Sequence, residues 1–244
     1  MRAIDIIRRV GPVDLRNVRR DDFLAWVIGL PFLIALLFRF GVPPLSGWLA
    51  GSFDFDLTPY YPLIMSSFVV MAPSMVGMVT GFLLLDERDD RILTALLVTP
   101  MPFGAYLSYK ITAPLVVGFV VTLAGYPIAG LAPIPFGDLL VVALMGSLTG
   151  PVSALFLAVT ADNKVSGFAL TKVLNTINVL PIAAYFVAMP WQLFAGVVPA
   201  YWPIKLVWLS ASGQPIAGIA AAGFVVNVVA IIAFLRLFNS LIRR

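Results

Sequence analysis

Six long runs of apolar residues dominate this chain, and shorter polar segments separate them. The runs cover about residues 23–40, 60–85, 111–131, 139–160, 168–189 and 215–238. A helix of about 20 apolar residues is long enough to cross a hydrocarbon core of about 30 Å. The pattern therefore predicts an all-α membrane protein with six transmembrane helices over residues 23–244.

Residues 1–22 precede the first run and mix apolar with basic positions. Ile4, Ile7 and Val10 recur at helical spacing among arginines, and Gly11-Pro12 is expected to break the helix. Such a segment is predicted to be an amphipathic helix in the membrane interface, with its arginines towards anionic headgroups. It is either a simple topological anchor or a segment that also packs near the cytosolic stretch described below.

The composition supports a membrane protein and excludes several chemistries. Of the 244 residues, 61% are hydrophobic and 11% are charged, whereas soluble domains carry about a quarter charged residues. The chain has no cysteine and no histidine, which excludes disulfides, thiolate catalysis and sites that need those ligands. No metal site and no catalytic residue are expected.

Basic residues fall almost entirely on one side of the predicted spans. Of 16 lysines and arginines, 14 lie on the side of both termini, and only Arg39 and Lys205 lie on the other. Because basic residues concentrate in cytoplasmic loops, both termini are predicted to be cytosolic. The acids Asp54, Asp56 and Asp138 lie on the outer side.

Two further patterns concern helix packing and the outer side. Gly77-x-x-x-Gly81 and Gly146-x-x-x-Gly150 permit close approach of helix backbones. The outer segment 190–214 is rich in tryptophan and broken by prolines. It is expected to form short helices that dip into the outer leaflet, or else a simple aromatic belt.

The segment of residues 86–110 is the only long, strongly charged stretch between two apolar runs. Asp89 or Asp90 can cap a helix, because an acid stabilises the positive end of the helix dipole. Pro100 keeps the residue before it away from helical angles and so ends the helix. A short helix is therefore predicted over about 89–99.

This short helix carries an apolar ridge. Ile92 and Leu96 are four residues apart, as are Leu93 and Leu97, so each pair shares a side of the helix. An apolar ridge suits docking into a groove of another protein. The alternative is an interfacial helix that lies on lipid.

The same stretch resembles the signature of type-2 ATP-binding cassette exporter permeases. The shared features are the acidic–basic–acidic start Glu87-Arg88-Asp89-Asp90, a short helix that ends in Thr99-Pro100, and Lys110 at the opening of the third span. The detailed resemblance covers about residues 80–112. The family often has a glycine after the second acid, and in this chain Asp90-Arg91 occupies that region.

The resemblance implies a coupling helix that sits in a groove of a separate nucleotide-binding ATPase subunit. It assigns this contact to Glu87, Arg88, Asp89, Asp90, Arg91, Ile92, Leu93, Leu96, Leu97, Thr99 and Pro100. Glu87 and Arg88 would connect movement of the helix to the second span. The resemblance also implies a second permease chain, identical or different, with ATP and Mg²⁺ bound on the partner subunit and no cofactor on this chain.

The sequence lacks two features that would let the chain power transport itself, a phosphate-binding loop and a buried acid within a span. A phosphate-binding loop needs Gly-Lys followed by Ser or Thr, and none of the four lysines follows a glycine. Every acid maps to a loop or to a span edge. Ion-coupled carriers usually keep a buried acid within a span, although its insertion costs about 2.5–3.5 kcal/mol. The chain is therefore not expected to be an enzyme or an ion-coupled carrier.

Adaptable and polar side chains in the second and fifth spans form a candidate substrate path. In the resembled family these spans face the pathway between two protomers, and methionine and aromatic side chains adapt to varied apolar ligands. The alternative is that the amides bridge helices and the methionines fill gaps. The path residues are Phe68, Met71, Met75, Met78, Asn175 and Asn178.

We therefore expect a permease subunit of an ATP-binding cassette exporter in a prokaryotic cell membrane. Its cargo would be hydrophobic or amphipathic, such as a drug, a lipid-like molecule or a natural product. An Arg-rich start, Pro31 and Arg39 also resemble permeases of drug export, including fluoroquinolone efflux. Polysaccharide is a possible alternative cargo, although it would favour a more polar and aromatic lining.

Two other functions are the alternatives to this expectation. The first is an ion-coupled or passive transporter without an ATPase partner, and the second is a structural or assembly protein of the membrane. Membrane lipid is an expected partner of this chain, and nucleic acid is not expected to bind.

Overall fold

The computed structural model describes residues 3–93 and 103–242, and its backbone is helical nearly throughout. Its α-helices are α1 (Ala3–Arg20), α2 (Asp22–Phe53), α3 (Tyr61–Asp89), α4 (Phe103–Ala129), α5 (Phe136–Ser147), α6 (Thr149–Thr160), α7 (Lys164–Val179), α8 (Tyr201–Ala211) and α9 (Ala217–Ile242). Short 3-10 helices cover Thr58–Tyr60, Leu180–Phe186 and Trp191–Val197.

Six stretches are long and apolar enough to cross a membrane. In chain order, spans 1 to 6 are Trp26–Phe53, Thr58–Asp89, Phe103–Ala129, Phe136–Thr160, Lys164–Phe186 and Ala217–Ile242. Span 4 joins α5 and α6, and span 5 joins α7 to the 3-10 helix that follows it. The predicted all-α membrane fold with six transmembrane helices is confirmed.

Two helices continue further than the sequence predicts. The expected break at Gly11-Pro12 does not occur, because α1 remains helical through Pro12. Similarly, α2 runs past residue 40 and through Pro43 and Pro44. The second half of α1 is held by packing, because it buries Val18 against the bundle. The first part of α2 packs along α3 and α4, whereas the turns that contain Pro43 and Pro44 are mostly exposed.

Arg39 marks the level at which α2 leaves the bundle. Its guanidinium donates a hydrogen bond of 3.2 Å to the backbone oxygen of Ile128, near the end of α4. At about 1.5 Å per residue, the rest of α2 reaches about 21 Å further, to Phe53. Arg39 therefore lies level with the end of span 3, but not at the far end of span 1 as predicted, because span 1 continues to Phe53.

Span 2 forms the centre of the molecule. Its helix α3 packs against α2, α4, α6, α7 and α8 and is buried for most of its length. Gly77 lies directly against the backbone of Gly150 in α6, and Gly146 of α5 lies against Val69. Both small-residue motifs thus meet the same interface, where helix backbones approach without intervening side chains.

Aromatic side chains close the bundle at the end where α2 and α3 are linked. The rings of Tyr185 and Trp208 lie 5.1 Å apart, and Trp208 Nε1 donates a hydrogen bond of 3.2 Å to Ser66 Oγ. The segment 190–214 does form short helices, and most side chains of α8 are buried in the bundle. Partial burial lowers the pKa of Lys205, whose Nζ lies 2.6 Å from Gln192 Oε1.

Candidate functional site

Charged side chains gather at the opposite end, where α3 and α6 end, α4 and α7 begin, and α1 lies alongside. We refer to this region as the charged end. The last turn of α3 places Asp86, Glu87 and Arg88 in succession. Consecutive residues of a helix point about 100° apart, so each of the three side chains meets a different neighbour.

Glu87 belongs to a buried cluster of charges. Lys110 Nζ lies 2.8 Å from Glu87 Oε1 and 2.9 Å from both carboxylate oxygens of Asp14 in α1. Tyr106 donates a hydrogen bond to the other oxygen of Glu87. Only 1% of the Lys110 side chain is exposed, and burial of a charge at this depth requires close partners. The cluster joins α1, α3 and α4.

Asp86 belongs to a second, more exposed cluster. Lys164 Nζ lies 2.8 Å from Asp21 Oδ2 and 3.1 Å from Asp86 Oδ2. Asn163 fixes the position of this lysine, because its side chain caps α7 by accepting a hydrogen bond of 3.0 Å from the backbone of Ser166. With 30% of the Lys164 side chain exposed, these ion pairs are weaker than those of Lys110.

Arg88 caps the C-terminal end of span 4 with its side chain. Its guanidinium donates hydrogen bonds to the backbone oxygens of Ala158, at 3.2 Å, and Ala161, at 2.5 Å. Carbonyls in the last turn of a helix have no intrahelical partner, and a cation there also complements the helix dipole. Arg88 thus binds α3 to the end of α6.

The three contacts connect the end of α3 to four other elements. Through Glu87 and Lys110 it is joined to span 3 and α1, through Arg88 to span 4, and through Asp86 to span 5. Each connection is an ion pair or a hydrogen bond.

The turn after α3 begins later than the sequence predicts. Asp89 is the last residue of α3 and Asp90 caps its end, so neither starts the next helix. Arg91 adopts a φ of 58°, a left-handed conformation that favours glycine. Helical backbone resumes at Ile92. The chain thus makes with Arg91 the turn for which the resembled family often uses glycine.

The remaining predicted coupling residues divide into two groups. Ile92 is exposed, and Leu93 is buried in the main hydrophobic core. The other members of the set lie outside the described residues. They are Leu96, Leu97, Thr99 and Pro100. Their contact with an ATPase subunit stays a prediction.

The candidate path residues lie in two environments. Phe68 packs against Gly125 and Phe38, and Met78 lies in a hydrophobic cluster with residues of α1 and α6. Both side chains are buried between helices. Met71 and Met75 are only half-buried, so they form an accessible stripe on a helix that is otherwise enclosed.

The two asparagines of span 5 also differ. Asn178 is buried and donates a hydrogen bond of 3.0 Å to Ser74 Oγ of α3, which places span 5 beside the turn of α3 that carries Met71 and Met75. Asn175 is exposed and lines an open cavity of about 420 Å³ with Val179 and Leu180. The structure therefore brings Asn178 to α3 as a bridge and leaves Asn175 accessible.

Sequence reasoning missed several members of the charged end. It did not assign Asp14, Asp21, Tyr106 or Lys164 to any site. Asp14 and Asp21 are seven residues apart, a spacing that places both on one side of a helix. That spacing, in a segment otherwise rich in arginine, was the available signal for an acidic face turned towards the lysines.

Known proteins resemble this chain over most of its length. The family model for the Fluoroquinolones export permease protein Rv2686c-like matches residues 14–235. Two Mycobacterium tuberculosis proteins are each 32% identical over 207 residues, covering 82% of this chain and 81% of the relative. They are the Fluoroquinolones export permease proteins MT2760, of strain CDC 1551 / Oshkosh, and Rv2686c, of strain ATCC 25618 / H37Rv. No solved structure matches the chain. The chain belongs to the Rv2686c-like family of fluoroquinolones export permease proteins.

Proposed function

We propose that this chain is the transmembrane permease subunit of an ATP-binding cassette exporter. A separate ATPase subunit binds ATP and Mg²⁺ and docks on the segment between spans 2 and 3. Two permease chains, identical or different, enclose the path. The charged end faces the cytosol, so both termini are cytosolic and cargo leaves towards the aromatic end.

The observation that carries this proposal is the placement of Asp86, Glu87 and Arg88. These residues form the start of the segment assigned to the ATPase contact, and they bind spans 3, 4 and 5 directly. Lys110 extends the contact of Glu87 to Asp14 of α1. If the ATPase subunit docked on a loop without such contacts to the bundle, its movement would displace only that loop. Here, a displacement of the segment reaches the cytosolic ends of most of the bundle.

The cargo we propose is an amphipathic drug-like molecule. The names of the relatives support fluoroquinolones as the first compounds to test. Met71, Met75 and Asn175 offer adaptable apolar contacts together with an amide on accessible surface. These three residues are our candidates for the cargo contact, and Phe68, Met78 and Asn178 position the helices that carry them.

The substitution Leu96→Asp tests the docking of the ATPase subunit. A carboxylate on the apolar ridge would enter the groove without a partner, so association should weaken about 30-fold, as for an interface hot spot. Affinity purification of the ATPase subunit through the tagged permease measures this change. Membrane insertion should remain normal, because the residue lies between spans.

Gly104→Asp is the matched control for this experiment. Gly104 is exposed, and a Cβ at this position would meet open space. It introduces the same charge eight residues further along and should leave association intact. Equal retention of the ATPase subunit by wild type and Leu96→Asp would contradict the docking proposal.

A further inference from the structure

The helix α1 carries opposite charges on opposite faces. Asp14, and Asp21 in the bend directly after the helix, face the bundle, where they bind Lys110 and Lys164. Arg16, Arg19 and Arg20 are exposed on the other side. None of the ion pairs found among the described residues involves these three arginines. Their guanidinium groups therefore have donors to offer to an external anion.

The exposed face of α1 forms a cavity that combines charge with apolar surface. The cavity has a volume of about 420 Å³, and Pro12 and Leu15 line it together with the three arginines. The Leu15 side chain is 61% exposed. A guanidinium group binds a phosphate through two parallel hydrogen bonds, so this cavity suits an anionic group with an apolar body attached.

A second, apolar groove begins where α1 meets span 1. It has a volume of about 540 Å³ and is lined by Asp22, Trp26, Gly29 and Leu33. The last three follow one side of α2 at helical spacing. Gly29 has no side chain to fill the groove, and the Trp26 ring is 63% exposed beside it. Because the groove runs along a membrane span, hydrocarbon chains are the molecules that reach it.

We propose that the arginine cavity and this groove together form a binding site for one anionic phospholipid of the leaflet on the charged end. The phosphate lies among Arg16, Arg19 and Arg20, and one acyl chain follows Trp26, Gly29 and Leu33. Asp22 lies at the start of the groove. Its one negative charge is outweighed by the three positive charges of the guanidinium groups. The site does not depend on the proposed transport function.

The features of the site favour lipid over a protein partner. A water-soluble protein that docked on the arginine face would supply carboxylates to the cavity, but it would not reach a groove within the hydrocarbon region. A phospholipid provides the anion and the chain in one molecule, at the depth where α1 meets span 1. Since Asp14 lies on α1 and Asp21 directly follows it, a bound lipid would fix the helix against the charged end.

Lipid titration of the purified full chain in an uncharged detergent tests the proposal. Native mass spectrometry counts the bound molecules of phosphatidylglycerol and phosphatidylcholine. We expect one phosphatidylglycerol to bind more tightly than any phosphatidylcholine. The variant Arg16→Gln/Arg19→Gln should lose about fivefold in affinity for each arginine removed, as expected for basic residues at an anionic membrane surface. High salt should weaken wild-type binding.

The matched control is Lys172→Gln/Arg236→Gln, which removes two exposed basic residues from other helices. It should leave the affinity unchanged. Phosphatidylglycerol with brominated chains should quench tryptophan emission in wild type, and Trp26→Phe should remove most of that quenching. Arg20→Gln serves as a milder variant if the double variant fails to fold.

Three results would overturn the proposal. The first is equal binding of the two lipids by wild type. The second is equal weakening in the control variant, which would indicate a general charge effect. The third is full displacement of the lipid by an equal concentration of inorganic phosphate, which would indicate an anion site without a lipid chain.

Discussion

Lys110 is stable in a buried position because two carboxylates surround its ammonium group. Glu87 and Asp14 approach from different helices, at 2.8 and 2.9 Å. Removal of the lysine would leave two carboxylates without their partner, a change that costs about 3–5 kcal/mol for a buried pair. Removal of one carboxylate is milder, because the lysine keeps the other. Glu87 is thus the member of the cluster that can be altered while the fold is retained.

Asn175 and Asn178 allow the packing and cargo roles of span 5 to be separated. Asn178→Leu removes the buried hydrogen bond to Ser74 and should lower the free energy of unfolding by about 1–2 kcal/mol. Asn175→Leu changes an exposed side chain, so it should leave stability unchanged and alter the relative export rates of different fluoroquinolones. Thermal unfolding and efflux assays on both variants measure these effects. A change of selectivity in Asn178→Leu alone would contradict the assignment.

The sequence identifies individual residues of the site where charge interrupts an apolar pattern. Glu87 and Arg88 stand out at the end of a long apolar run, and the structure places both in direct contacts with other helices. Asp14 and Lys164 could not be assigned in the same way, because their partners are 96 and 78 residues away in the chain. Only the packing of helices brings such residues together.

At the scale of elements, α3 organises the bundle through close backbone contacts. Gly77 meets Gly150 at a crossing of α3 and α6, and Arg88 binds the end of α6 about three turns further along. The crossing and the polar contact hold the same pair of helices at two points. Under the proposed function, these two contacts would make span 4 follow movement at the end of α3.

The substitution Gly77→Ala tests this crossing. An added Cβ would overlap the backbone of Gly150, which no change of rotamer relieves. The expected loss is about 2 kcal/mol in the free energy of unfolding, measured by denaturation in detergent micelles. Gly47→Ala is the control, since Gly47 faces open space in α2 and alanine favours a helix by up to about 1 kcal/mol. Equal stability of the two variants would show that the helices do not touch at Gly77.

Elements were predictable to the extent that apolar runs define them. All six spans correspond to the six runs, because hydropathy alone requires them to leave water. The length of α2 and the continuity of α1 were not predictable from proline positions. A proline costs a helix about 3 kcal/mol, and in α1 contacts with other helices offset that cost in ways that local sequence does not record.

At the scale of the whole molecule, the two ends differ in chemistry. The aromatic end is closed by rings and by the buried helix α8. The charged end holds ion pairs, and the segment between spans 2 and 3 begins there. Ion pairs at a water-accessible boundary can exchange partners, whereas a packed aromatic layer resists change. Under the proposed function, force enters at the charged end and the aromatic end responds as the exit.

The most direct test of this account is the number of fluoroquinolone molecules exported per ATP hydrolysed, in vesicles that contain this chain and its ATPase subunit. Glu87→Gln keeps the Lys110–Asp14 pair but replaces the ion pair between α3 and α4 with a weaker neutral hydrogen bond at most. We expect ATP hydrolysis to continue while export per ATP falls about tenfold, within the usual range of coupling energies. Asp162→Asn, an exposed change at the same end of the bundle, should leave the ratio intact. An unchanged ratio of export to ATP hydrolysis in Glu87→Gln would contradict the proposed coupling of ATP hydrolysis to transport through the end of α3.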